Sequence, residues 1–437
     1  MITPSFGLTA TERVLPKLAL DFTTASLDAR VTFTRTTGAS NPATYTNSSG
    51  VVTAATNNEP RFDYDPVALT CKGLLIEESR TNKCLYSEDF RNTADAGATR
   101  PWAYINTTLD YHPAGVTAPN GLAEACKIVE NTATGNHYIY QNCASTSANF
   151  SYSIFAKDAG RQYLRIMIAT SGFSSGSRVY ATFDLQTGTS TINGITTSNI
   201  AASTQAFPNG WYRCTVTATI TAGTTPAVGL FLSNVSGSSS TLPSYTGDGT
   251  SGVYVWGGDL EEALFATSYI PTTATTLTRN ADVATMTGTN FSDWWQSTRG
   301  GVLVRARPST VSGVRPWLQF DDGTANEIIA LRGNTTNPEL YIVDGGTPQA
   351  QIDAGTIAAN TDYSLTGWWA TNDCKARLDS GAVVTDTSAT IPTVTQARLG
   401  SDGTNYLNGH LASISYYDTF SGQIYTRRKN KVIFNLM

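Results

Sequence analysis

A two-residue alternation that keeps restarting constrains this chain more than any other feature. It runs through Ser151–Lys157, Tyr163–Ala169, Arg178–Leu185, Tyr212–Ile220, Val228–Ser233 and Gly252–Gly257. It returns in Gly301–Ala306, Trp317–Phe320, Glu339–Val343, Asp362–Trp369 and His410–Tyr417. Successive strand side chains point to opposite faces, so this pattern is that of half-buried strands. Gly, Pro, Asn, Asp or Ser bounds each run, and these residues form turns for distinct steric and hydrogen-bonding reasons. A helical period is missing, apart from a short candidate helix at Phe420–Met437. Many short strands with polar turns predict an all-β chain of sandwiches or jelly rolls. Its 437 residues suffice for two or three domains. No period of 20–50 residues repeats, which argues against solenoids and propellers.

Three segments separate by pattern. Residues 1–84 mix turns and short strands, with too little core to stand easily alone, and are expected to pack on the rest or to attach the protein elsewhere. Residues 85–280 and 281–437 form two strand-rich units. Charged residues are 14% of the chain, and 29 basic against 34 acidic residues leave a net charge of −5. A weakly acidic chain has no long-range attraction for phosphate backbones, so nucleic acid is not an expected partner. No apolar run is long enough to span a bilayer, and no membrane insertion is expected. The first residues lack a basic stretch followed by an apolar one, so synthesis in a cytoplasm is expected. Six cysteines include no C-x-x-C pair. Cys126 and Cys143 flank Thr134-Gly135 symmetrically. Were that dipeptide a hairpin turn, the two thiols would face each other within reach of a disulfide; the alternative is two half-buried thiols.

Catalysis finds little support. A glycosidase needs two carboxylates at a definite separation. Glu261-Glu262 and Asp321-Asp322 are adjacent, so on strands they face opposite ways. His112, His137 and His410 have no recognisable partners and read as surface or satisfied histidines. No nucleophile elbow, P-loop or dinucleotide fingerprint is present, and the chain is expected not to be an enzyme. Sugar binding is a better use of the composition, because aromatic faces pack on pyranose rings while polar groups hold the hydroxyls. Trp102, Tyr104, Trp317 and Tyr406 lie in polar or turn-adjacent stretches and are candidates for a glycan platform. Trp368 joins them as one of a Trp368-Trp369 pair that a strand would split between core and exterior. Glu77, Glu78, Arg80 and Arg61 read as a structural ion network; a metal site of Asp63, Asp65 and Glu77 is the sharper alternative.

Residues 60–90, PRFDYDPVALTCKGLLIEESRTNKCLYSEDF, resemble a block common in tail, fibre and spike proteins of tailed phages and prophages. Leu20–Arg35, Asn209–Val216, Tyr245–Thr272 and the run Thr278-Arg279-Asn280-Ala281-Asp282 fit the same family. Lys83-Cys84 departs from it, standing where the family more usually has apolar residues. The resemblance implies a carbohydrate-binding-module-like jelly roll over 85–280. Thr404–Tyr417 and the tail after it resemble concanavalin A-like and laminin-G-like domains, which implies such a sandwich over 281–437. It further implies a virion surface protein made in the host cytoplasm, a homotrimer, with other virion proteins and host surface polysaccharide as partners. Jelly-roll modules of this kind commonly hold a structural calcium, for which Asp89, Asp248 and Asp259 are candidates. A non-catalytic glycan adhesin is the first functional reading. A purely architectural capsid or tail decoration is the second, and a polysaccharide depolymerase the third.

Overall fold

Each alternating run coincides with a strand to within a residue or is contained in a longer one. Ser151–Lys157 lies within Asn149–Ala159, and Gly301–Ala306 within Arg299–Pro308. The computed structural model describes all residues except 1–14, 36–42, 94–99, 171–172, 174–176, 196–197, 222–224, 238–241, 420–426, 429–430 and 433–437. The chain is all-β, as its sequence predicts, with one short α-helix, Thr289–Ser292, among the described residues. Of the stretch read as a terminal helix, only Arg427–Arg428 and Lys431–Val432 are described, and they pair as antiparallel strands.

The chain divides into two units rather than three segments. One comprises residues 1–32 and 283–437, the other residues 33–282. Thus 33–84 join the jelly-roll unit, while Leu18–Asp21 pairs antiparallel with Gly409–Tyr417 in the other unit.

The 33–282 unit is a sandwich of two antiparallel six-stranded sheets. One sheet runs in the order Ser198–Phe207, Trp211–Thr219, Asn149–Ala159, Gly252–Glu261, Cys126–Glu130, Thr107–Tyr111. The other runs Ser190–Ile195, Arg178–Asp184, Tyr163–Ala169, Ala227–Ser233, Tyr138–Asn142, Ala103–Ile105. Alternation decides what lies between them. Leu164, Ile166 and Ile168 point into the main core with Ile154, Val216, Leu230 and Val255. Met167 and Ala169 point outward, into a smaller cluster with Phe173, Tyr180 and Phe231.

The discontinuous unit also has two sheets. Val384–Asp386, Cys374–Leu378, Tyr363–Ala370, Arg299–Pro308 and Gly409–Tyr417 follow one another in the first. The second contains Val283–Thr287, Gln396–Leu399, Val314–Asp321, Ile328–Asn334, Asn337–Asp344 and Thr347–Asp353. Trp294, Trp295, Phe320, Trp369 and Tyr416 form one aromatic cluster in this unit.

Candidate ligand-binding surface

The conspicuous sequence blocks of the 33–282 unit converge on one buried polar hub. Asp282 accepts from Arg35 Nη1 at 2.9 Å, pairs with Arg61 and takes the Glu77 backbone N–H at 2.9 Å. Glu77 lies 2.8 Å from Arg61 and 2.9 Å from Arg279. It also accepts from the backbone N–H and hydroxyl of Ser268, both at 2.7 Å. Burial works against the Glu77 carboxylate, yet Arg279 and Arg61 outweigh it and hold the group at about 2. Asn82 uses its whole amide. It donates to Gly258 O and Ile270 O at 2.9 and 2.7 Å, and accepts from Cys84 N and Leu260 N at 2.9 and 3.0 Å. The structural reading of Glu77, Arg61 and their neighbours is what the side chains realise. Asp63 accepts from Thr46 N and pairs with Lys72, and Asp65 caps Val67 and Ala68, so these carboxylates do not converge with Glu77 on a metal.

The residues expected to form a sugar platform are mostly core. Trp102 is 2% exposed and packs on Phe90, ring centroids 4.9 Å apart. The Tyr104 hydroxyl donates to Phe90 O at 2.8 Å. Trp317 is fully buried, because Val314–Asp321 continues past Pro316 through an irregular register that turns Trp317 inward. Trp368 is buried as well as Trp369; its ring lies so close over Gly301 that a Cβ there would sit 2.6 Å from it. Tyr406 is half-buried, and its carbonyl accepts from Arg315 at 3.4 Å. Trp102 and Tyr104 belong to one unit and the other three to its neighbour.

Thr134-Gly135 is no hairpin turn: it pairs with Tyr245–Thr246. Cys126 and Cys143 therefore do not face each other. Cys126 sits opposite Tyr111 and Val255, whereas the Cys143 Sγ lies 3.4 Å from that of Cys84. None of the six cysteines is in a disulfide. Burial pushes the Cys84 thiol well up and that of Cys126 to about 12.

The calcium candidates are occupied by protein donors. Asp248 caps its own loop, accepting from Thr250 N and Ser251 N, each at 2.7 Å. Asp259 is buried in the sandwich, accepts from Ile270 N at 3.1 Å, and burial drives its carboxyl well up, favouring the neutral acid. Asp259 and Glu261 are a same-face carboxylate pair overlooked in the sequence, but both are 1% exposed. Among the described residues no group of three or more His, Cys, Asp or Glu side chains is placed to hold a metal ion.

Asp89 leads instead to a surface cluster. Its carboxylate accepts from Arg91 Nε at 2.9 Å and Nη2 at 2.8 Å, and from Arg100 Nε at 2.7 Å. Burial opposes ionisation there, but the two arginines hold the carboxyl at about 2. The Arg91 guanidinium lies 4.1 Å from the Tyr111 ring centroid and that of Arg100 4.0 Å from Tyr86. His112 stacks on Tyr111, centroids 3.7 Å apart and planes 21° from parallel. Tyr111 is 39% exposed. Tyr86 and His112 have φ of 50° and 56°, a left-handed backbone that bulky residues seldom adopt. Phe90 and Trp102, fixed in the core, anchor the stretches that carry Arg91 and Arg100. Of the residues singled out in the sequence, Asp89 lies in this cluster, and Trp102 and Tyr104 contact Phe90 next to it. Tyr86, Arg91, Arg100, Tyr111 and His112 were not among the sequence candidates. The D-x-R spacing of Asp89 and Arg91 was the one local signal.

No family model matches the chain, and no curated protein matches it. Solved structures similar to it include mouse laminin alpha1 chain domains LG4-5, at 9% identity and a TM-score of 0.22, covering 64% of this chain and 84% of that one. Another is the LG1-3 region of the laminin alpha2 chain, at 10% identity and a TM-score of 0.17, covering 67% of this chain and 63% of that one.

Proposed function

We propose that this protein is a non-catalytic adhesin for host surface glycans, displayed on a tailed-phage or phage-like particle. The observation that carries the binding half is the Asp89–Arg91–Arg100 cluster with Tyr86, Tyr111 and His112 around it: exposed ring surface next to oriented polar donors. Such a surface suits a sugar, whose C–H face packs on rings while its oxygens take hydrogen bonds. The particle half rests on the resemblance of residues 60–90, 245–272 and 278–282, whose polar residues meet in the hub. A structural calcium and assembly as a homotrimer belong to the same proposal.

Purely architectural decoration is the second reading. The burial of Trp102, Trp317 and Trp368 favours it, since none of these rings is free to stack on a ligand. Depolymerase chemistry has least in its favour, because the same-face carboxylates Asp259 and Glu261 are sealed from substrate.

A pull-down of the native oligomer on host cells, capsular polysaccharide and lipopolysaccharide tests the proposal, with light scattering for the oligomeric state and a reducing-end assay on the supernatant. Saturable, sugar-competed retention without new ends is the expected result. A folded oligomer retained by no surface would leave the architectural reading.

A further inference from the structure

Resting on the adhesin reading, we infer that the Arg91–Arg100–Tyr111–His112 surface takes an acidic saccharide, gripping the carboxylate of a uronic or sialic acid residue. Two guanidiniums share one carboxylate here, so the cluster carries an excess positive charge in a chain whose net charge is −5. Among the described residues, Asp89 is the one carboxylate within 4 Å of either guanidinium.

The donors are divided unevenly. Asp89 takes Nε and Nη2 of Arg91 but only Nε of Arg100. Among the described residues, neither Nη of Arg100 donates a hydrogen bond, nor does Nη1 of Arg91. Asp89 therefore orients both guanidiniums and leaves part of each planar fork open. Such a fork matches a carboxylate in geometry and charge. The rings beneath them keep the guanidinium planes fixed, and the Tyr111–His112 stack supplies apolar surface beside the charge. A neutral sugar would use the rings and leave the charge unspent. A free phosphate would use the charge and leave the rings. A carboxylated pyranose uses both. The left-handed backbone at Tyr86 and His112 costs stability at two residues of this one cluster, and such strain concentrates at working surfaces.

The test is an NMR titration of the full-length protein. It follows the imidazole signals, of which the chain has three sets, with His112→Gln identifying that of His112. Glucuronate, galacturonate and N-acetylneuraminate are added separately, with glucose, galactose, acetate and inorganic phosphate as comparisons. The expected result is saturable shifts of the His112 signals with at least one acidic sugar, at least tenfold tighter than with glucose, galactose, acetate or phosphate. Arg100→Gln should weaken that binding tenfold or more. Arg100→Lys, which keeps the charge but loses the fork, should weaken it severalfold, and both variants should keep the thermal transition. If either variant does not fold, the sugar comparison on the unaltered protein decides alone. Equal binding of neutral sugars overturns the acidic specificity and leaves the adhesin reading standing. Equal binding of acetate or phosphate reduces the site to an anion site and overturns the inference. No shift with any sugar overturns it as well, and the cell pull-down on the same preparation then decides the adhesin reading separately.

Discussion

His112 and Tyr86 pay for their positions in backbone energy, and that cost is measurable. Each holds a positive φ, which for a non-glycine residue costs about 1–2 kcal/mol. His112→Gly should raise the melting temperature, because glycine adopts this conformation freely, while sugar binding falls with the loss of the stack on Tyr111. Calorimetry and binding on the same sample read the two opposed effects; a lowered melting temperature would show that the stack stabilises more than the strain costs. Acid provides a second measurement. The Glu77 carboxyl is depressed from an ordinary 4.5 to about 2. Its stabilisation is complete above 4.5 and is lost as pH falls toward 2, because the unfolded chain takes up the proton first. By linkage this single group accounts for about 3 kcal/mol. Asp89, also held at about 2, changes in the same direction. Denaturant midpoints between pH 6 and 2.5 should fall steeply below 4.5, and Glu77→Gln should flatten the slope.

At the scale of elements, the hub brings together residues from widely separated blocks of sequence. Arg61, Glu77, Ser268, Arg279 and Asp282 each satisfy another's polar atoms, and Asn82 satisfies backbone groups of Cys84, Gly258, Leu260 and Ile270. Removing one member strands its partners. Arg61→Met should cost about 3–5 kcal/mol, since it leaves Glu77 and Asp282 short of a cation. Asn82→Ala should cost several kcal/mol by unsatisfying two buried carbonyls and two buried N–H groups. Urea midpoints check both. The cysteines give a sharper test of the strand arrangement. Oxidation of the partly unfolded protein followed by refolding and digestion should join Cys84 to Cys143 and yield no Cys126–Cys143 peptide. Finding the latter would mean the sheets pair differently.

These elements also mark what the sequence made legible. Alternation located the strands because a half-buried strand must alternate, and Tyr163–Ala169 was read to its last residue. It could not say that the outer face of a strand is covered as well. Trp368 shows why: it points away from Trp369, as alternation requires, and is still buried. Nor could spacing reveal a cluster in which Arg91 meets Tyr111 and Arg100 meets Tyr86, because those contacts depend on how Phe90 and Trp102 seat in the core. Turn chemistry misled at Thr134-Gly135, whose glycine sits in a strand pairing with Tyr245–Thr246.

On the scale of the whole molecule, residues 33–282 interrupt a unit built from both ends of the chain. The first strand of that unit, Leu18–Asp21, pairs with one of its last, Gly409–Tyr417, so long-range pairing is required before it can close. Arg35 and Asp282 lie at the two ends of this stretch and form a buried ion pair of 2.9 Å. Residues 33–282 expressed alone should unfold in one cooperative transition. The fragment beginning at residue 36 should be less stable, through loss of Arg35; circular dichroism during heating compares them, and equal stability would remove the clasp from the account. The same clasp bears on how such proteins diversify. A segment whose ends are fastened to each other can be exchanged by recombination as one contiguous stretch of DNA.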